Sequence, residues 1–172
     1  SIQSVFDQTY SNLELIIVDD GSEDGSRDII ERCTANAPIR VRRIFQENRG
    51  QSAAINAGMK ECNGEFVALL DSDDYWYPAK LEIMMVFIAI NPDGGVYQHQ
   101  LNITPGVPKR NSLVSADIFQ LWKNWDEGVF NVAGLYSDLV FAPFLPTSGL
   151  MFRREVLDKV MPIPESLKAC PD

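Results

Sequence analysis

Two short aliphatic runs each end in a cluster of carboxylates. Leu13–Val18 leads into Asp19-Asp20-Gly21-Ser22, and Phe66–Leu70 leads into Asp71-Ser72-Asp73-Asp74. Carboxylates crowded into one place repel each other unless a cation or a donor-rich ligand lies among them. Hard oxygen ligands of this kind suit Mg2+ or Mn2+, and Mg2+ usually arrives with substrate phosphates. The chemistry these residues predict is chelation of a phosphorylated ligand. Each cluster taken alone also fits a plainer role: the first as a turn and helix cap, the second as a polar loop.

The runs that carry the acids are partly β-branched, which predicts strands buried on both faces, as in a parallel sheet. In open α/β sheets the ligand crevice lies beyond the carboxyl ends of such strands, so the fold would gather the acids at one mouth. Ser1–Gln8 places Ile2, Val5 and Phe6 at helical spacing ahead of the first strand. A helix is expected from Ser22 or Ser26, with Ile29, Ile30 and Cys33 facing inward. Ile39–Phe45 alternates apolar and basic residues and reads as a strand. The helix after Asn48-Arg49-Gly50-Gln51-Ser52 is rich in small residues (Ala53, Ala54, Ala57, Gly58), which lets it lie close to a sheet with its N-terminus free to face an anion. Pro78 marks the start of a helix with Leu81, Met84, Met85 and Ile88 as its apolar stripe. The order βαβαβα predicts a parallel, helix-covered sheet. Beyond Asn91 the spacing predicts a strand within Gly94–Ile103, a loop over Thr104–Lys109, a helix over Ile118–Trp125, a strand over Thr147–Phe152 and a short helix over Arg154–Val160 stopped by Pro162.

Composition narrows the partners. The 172 residues suffice for one domain with a real core, and the net charge of −9 disfavours nucleic acid, whose phosphates call for Lys/Arg clusters. Cys33, Cys62 and Cys170 are scattered without a CxxC spacing and read as reduced thiols. The single histidine, His99, leaves little material for a Ser-His-Asp triad or a histidine metal site. Ile83–Ile90 is too short to span a bilayer, and no signal-peptide pattern is visible. Tyr75, Trp76 and Tyr77 fit either stacking on a sugar face or packing beside a helix start. Trp122 and Trp125 read as packing residues. Arg153 and Arg154 fit either a diphosphate contact or an exposed basic pair.

Five segments in order carry a resemblance. Ser4-Val5-Phe6-Asp7-Gln8-Thr9-Tyr10, Ile16–Gly25, Asn48–Gly58, Leu70–Leu81 and Ser148–Val156 together closely resemble the family-two glycosyltransferases. The resemblance implies the GT-A fold: an α/β, Rossmann-like, three-layer architecture with a mainly parallel central sheet flanked by helices. Residues 1–92 would form the nucleotide-sugar-binding half and residues 93–172 part of the acceptor-binding half. The implied activity is transfer of a sugar from a UDP-, GDP- or dTDP-sugar to a hydroxyl of a glycan, lipid-linked or protein acceptor, with Mg2+ or Mn2+ and with inversion. A non-catalytic nucleotide-sugar-binding module and a sugar-1-phosphate nucleotidyltransferase are the alternatives.

Carried over position by position, Asp20 resembles the aspartate that hydrogen-bonds the nucleobase. Asn48, Arg49, Gly50 and Asn56 resemble the loop and helix start that line the nucleotide pocket; family members commonly have arginine where this chain has Ile55. Asp71 and Asp73 match the Asp-x-Asp pair, with Asp73 on the metal and Asp71 on the ribose or the metal's water shell. Asp172 is the candidate catalytic base. The family's first strand would precede Ser1 and further residues would follow Asp172, so the chain reads as a fragment, inactive and poorly stable by itself. The resemblance and the lack of a signal place it in the cytoplasm or peripherally at the inner face of the membrane, in polysaccharide or cell-envelope glycan synthesis.

Overall fold

The computed structural model describes residues 1–102, 110–114 and 147–165; the loop expected over 104–109, the helix expected over 118–125, Cys170 and Asp172 lie outside the described residues. After a short helix α1 (Ile2–Phe6), strand β1 (Glu14–Asp20) and strand β2 (Arg40–Gln46) run parallel, joined through helix α2 (Ser26–Thr34). Their register sets Glu14 opposite Arg40 and Asp20 opposite Gln46. Helix α3 (Gln51–Glu61) packs on β1, and a Cβ added at Gly58 would lie 3.2 Å from Val18 Cγ2. That close approach is what the run of small residues permits.

Strand β3 (Phe66–Ala68) and helix α4 (Lys80–Ile90) follow, then β4 (Val96–Asn102), β5 (Arg110–Val114), a 3-10 turn over Thr147–Gly149, β6 (Leu150–Arg153) and helix α5 (Arg154–Val160). The second sheet has the order β3-β6-β4-β5 with every neighbour antiparallel. Among the described residues, parallel pairing is therefore confined to β1 and β2. The α/β architecture is the expected one, but the expected mainly parallel sheet gives way here because β6 enters beside β3 from the far end of the chain. Local periodicity carries no information about that partner.

Side-chain alternation divides the second sheet into two faces. Val67, Val96, Leu150 and Phe152 form a core with Met59 of α3 and Val156 and Leu157 of α5. Tyr97 and Met151 turn the other way onto Met84 and Ile88 of α4, with Phe66 and Ala68 packed alongside. Each such buried side chain contributes on the order of 1.5–3 kcal/mol. A third cluster, Val5, Trp76 and Leu81, gathers Leu13 just before β1, Leu15 within it, Ile39, and Ala68 and Leu70 from the second acid-bearing segment. It brings the two acid-bearing segments onto one shared core.

Three local expectations change. β1 is half-buried along most of its length rather than sealed on both faces, with Asp19 its buried residue. In α2, Ile29 and Cys33 are exposed and Thr34 is buried, so the inward face is rotated from the one expected. The Thr147–Phe152 strand begins as a 3-10 turn and becomes strand only at Leu150. Past Glu82, α4 is apolar on every side: Leu81, Met84 and Ile88 are buried as expected, while Ile83, Val86 and Ile90 face outward.

Candidate functional site

Asp20 ends β1 directly across from Gln46, and the pairing dictates its contacts. Its Oδ1 accepts from Gln46 Nε2 at 2.6 Å and from the Arg49 backbone N–H at 3.0 Å, and its Oδ2 accepts from the Gly50 N–H at 2.7 Å. Burial works against the charge, but these donors outweigh it and hold the carboxyl below the usual carboxylate range. Asp20 thus pins the Asn48–Gly50 loop at the start of α3. Of the roughly four acceptor positions of a carboxylate, about one remains for an incoming donor. Asp19 takes the plainer role: its Oδ1 accepts from the Ser22 N–H at 3.1 Å and closes the turn.

Two glycines shape this corner. Gly21 has φ +79°, and a Cβ there would lie 2.6 Å from the Asn48 backbone nitrogen. Gly50, the N-cap of α3, has φ +87° but open space around it. Asn48 is exposed, and Arg49 extends to Glu165, with Arg49 Nη2 2.6 Å from Glu165 Oε2. This pair is well exposed on both sides and contributes little to stability. Asn56 is buried, and its amide makes reciprocal 2.8 Å bonds with the backbone of Ile163, donating from Nδ2 and accepting at Oδ1. It fastens the residues after α5 to α3.

The second acidic segment is held from below. Asp71 is half-buried, and its backbone N–H donates to Ser148 Oγ at 2.9 Å. Burial, reinforced by the nearby charges of Asp74 and Asp73, pushes its carboxyl above the usual range, although the Thr147 and Ser148 hydroxyls oppose that rise. Asp73 is exposed. Asp74 is buried, and its Oδ1 has no hydrogen-bond partner among the described residues. Such a carboxylate oxygen, next to two further acids, fits a site made for a cation. No three of the described acidic, histidine or cysteine side chains converge into a closed metal cluster, so the five acids do not form the single gathering expected from the sequence. One or two carboxylates are nevertheless the usual protein share of a Mg2+ site whose remaining ligands are phosphate and water.

Behind this loop lies a group that the sequence did not single out. Lys80 is buried, its Nζ has no hydrogen-bond partner among the described residues, and it rests 3.5 Å from the centroid of the Trp76 ring. Burial pulls its pKa down to about 7 from 10.5. Below pH 7 folded and unfolded chains both hold the proton, and the fold bears the full desolvation penalty. Between pH 7 and 10.5 the folded chain sheds it first, so stability rises with pH across that window. The expected gain is up to ~5 kcal/mol, checked by urea unfolding at several pH values, and Lys80→Met should flatten it.

Trp76 is a core residue, whereas Tyr77 is exposed and meets Tyr75 edge-on, with ring centroids 6.1 Å apart. Arg153 and Arg154 are engaged away from Asp71. Arg153 contacts Glu65 and the carbonyls of Pro92 and Gly94, and Arg154 contacts the Cys62 carbonyl and Asp158. Both line an open pocket of about 500 Å3 with Cys62 and Glu65, at the end of β3 opposite to Asp71. Sequence reading missed Gln46, Ser148 and Lys80. A polar residue paired in register with a strand-end acid was the one available signal, and it needed the register to be read.

Residues 1–161 match the sequence profile of the family described as "Glycosyl transferase family 2". An uncharacterized glycosyltransferase of Nostoc sp. PCC 7120 is 40% identical over 163 residues, which is 95% of this chain and 48% of that protein. Among solved structures, Staphylococcus aureus TarS in complex with UDP superposes with TM-score 0.67 at 24% identity, covering 98% of this chain and 46% of the other. A mannosyltransferase from Pyrobaculum calidifontis in complex with GDP-Man and Mn2+ gives TM-score 0.65 at 20% identity, covering 98% and 44%. The chain spans about half the length of the relatives it matches.

Proposed function

Because this chain belongs to glycosyl transferase family 2, we propose that it handles the donor in an enzyme that moves a sugar from a nucleoside diphosphate to an acceptor hydroxyl. Its fold is the GT-A fold that the resemblance implied. The observation that carries the reading is the Asp71–Asp74 loop, where burial and the neighbouring carboxylates raise Asp71 and a buried Asp74 oxygen has no partner among the described residues.

In this reading Asp73 and Asp71 would hold Mg2+ or Mn2+. A cation held there would supply Lewis-acid stabilisation of the departing diphosphate. Asp20 keeps the Asn48–Gly50 loop in place and offers its remaining acceptor position to a nucleobase N–H. Arg49 and Asn48 lie exposed beside it, where a nucleotide would pass, and Asn56 holds the wall behind. Asp172 is the proposed base that takes the acceptor's proton, consistent with inversion. Residues 1–92 supply the donor half and residues 93–172 part of the acceptor half. Among the described residues no helix is long and apolar enough to cross a membrane. Work in the cytoplasm or at its membrane face, on cell-envelope glycans, completes the proposal; the acceptor is a glycan, a lipid-linked sugar or a protein.

The test is calorimetric titration of UDP, GDP and dTDP with and without Mn2+. One nucleotide should bind in a Mn2+-dependent manner and thereby name the donor class; a folded protein that binds none of the three contradicts the reading. A pH series adds a signed prediction. A cation must displace the proton that Asp71 holds more tightly than an ordinary aspartate, so Mn2+ affinity should fall as the pH drops from neutral towards the carboxylate range, by roughly tenfold per pH unit once Asp71 is protonated. Manganese EPR of the free ion reads this directly.

A further inference from the structure

A buried amine without a hydrogen-bond partner is a poor choice for packing alone, since an apolar side chain of the same length would avoid the desolvation penalty. Lys80 occupies such a position at the first turn of α4, 7% exposed, with Nζ 3.5 Å from the centroid of Trp76. Trp76 is itself fixed at three points. Its ring face meets Lys80, its Nε1–H donates to the Ser148 carbonyl at 3.1 Å, and its backbone N–H donates to Ser4 Oγ at 3.1 Å. Ser148 is fully buried and accepts the Asp71 backbone N–H at 2.9 Å through its hydroxyl. The contacts form one line from the start of α4 through the indole and the 3-10 turn to the backbone of Asp71.

We propose that Lys80 is a positioning residue: by holding the Trp76 ring it sets Ser148, and through Ser148 the backbone of Asp71, in the acidic loop. The metal does not touch Lys80. A cation near carboxylates would by charge alone weaken metal binding, so positioning and simple electrostatics predict opposite signs for its removal. The proposal rests on the reading of Asp71 and Asp73 as the metal's holders for its functional meaning, but not for its structural content.

Hydrogen exchange followed by NMR at pH 6 separates the two. In Lys80→Met, the Asp71 N–H and the Trp76 Nε1–H should exchange about tenfold faster while the Val67 amide keeps its rate, and Lys80→Arg should stay near wild type. Unchanged rates in Lys80→Met overturn the proposal, and so does an equal acceleration at all amides, which marks general destabilisation. Trp76→Phe keeps the ring face and removes the bond to Ser148. It should loosen Asp71 in the same way, and an unchanged Asp71 rate there also overturns the proposal, so the test survives if Lys80→Met does not fold. Mn2+ titration of the same samples should show weaker binding in Lys80→Met than in wild type; equal or tighter binding contradicts the positioning role. A wild type that binds no Mn2+ counts against the metal reading alone, while the exchange rates still decide the role of Lys80.

Discussion

Asp73→Ala is expected to weaken Mn2+-dependent binding of a nucleoside diphosphate by about a hundredfold or more, ~3 kcal/mol, while leaving the fold intact. The size follows from charge. Asp73 is the most exposed carboxylate of its loop after Asp71 and Asp74 are withdrawn into the protein, so it meets an incoming cation first. Asp71, half-buried and tied through its backbone to Ser148, then remains as one carboxylate where the reading has two. Removing Asp73 also relieves part of the crowding among these acids, so the variant should melt at or slightly above the wild-type temperature, with a stability change within about 0.5 kcal/mol. Calorimetry with and without Mn2+, beside a thermal melt, checks both halves. Loss of binding together with a collapse of the melt would instead make Asp73 a structural residue.

Of the two glycines at this corner, Gly21 should cost the more stability when replaced by alanine. At φ +79° an alanine is strained, at about 1–3 kcal/mol, and its Cβ would lie 2.6 Å from backbone rather than from a yielding side chain. Either the turn after β1 or the loop at Asn48 must move, and the Asp20 bonds to Arg49 and Gly50 hold that loop in place. The expected loss is ~3–4 kcal/mol, with weaker nucleotide binding because the Asn48 loop is displaced. Gly50→Ala is the matched control. Its φ is +87°, but nothing lies within 4 Å of the added carbon, so it should lose only the strain component. Urea unfolding of the two variants distinguishes close approach from backbone strain, and equal losses would show that contact with Asn48 contributes nothing.

The parts of this architecture that depend on short stretches of chain were legible in the sequence. The small residues of α3 announced its close seat on β1, and the apolar stripe of α4 was correctly placed on Leu81, Met84 and Ile88. Asp20 at a strand end, Gly50 at a helix start and Asp71 to Asp74 in a loop all followed from local pattern. What failed depended on distant partners. The antiparallel entry of β6 beside β3 joins Phe66 to Arg153, and no local period encodes that choice. The rotation of α2 arises because its inner face is set by what it packs on, not by its own residues. The attachments of Asn56 to Ile163 and of Asp71 to Ser148 bridge 107 and 77 residues of sequence, and buried Lys80 looks from sequence like an ordinary helix-start lysine. Long-range polar contacts of this kind support the site from behind, which is why the residues most visible in the sequence are those expected to face the ligand.

If the Asn48–Gly50 loop, pinned by Asp20, and the Asp71–Asp74 loop form one metal and diphosphate site, as proposed, both must sense a bound cation. Paramagnetic broadening of backbone amide signals by Mn2+, with and without UDP, tests it most directly. With UDP present, substoichiometric Mn2+ should broaden the amides of Asp71, Asp73 and Asp74 most strongly and reach those of Arg49 and Gly50, and Asp73→Ala should remove both effects. Broadening confined to other acidic surfaces, such as Glu155 and Asp158, or an acidic loop untouched by Mn2+ with UDP bound, would contradict it.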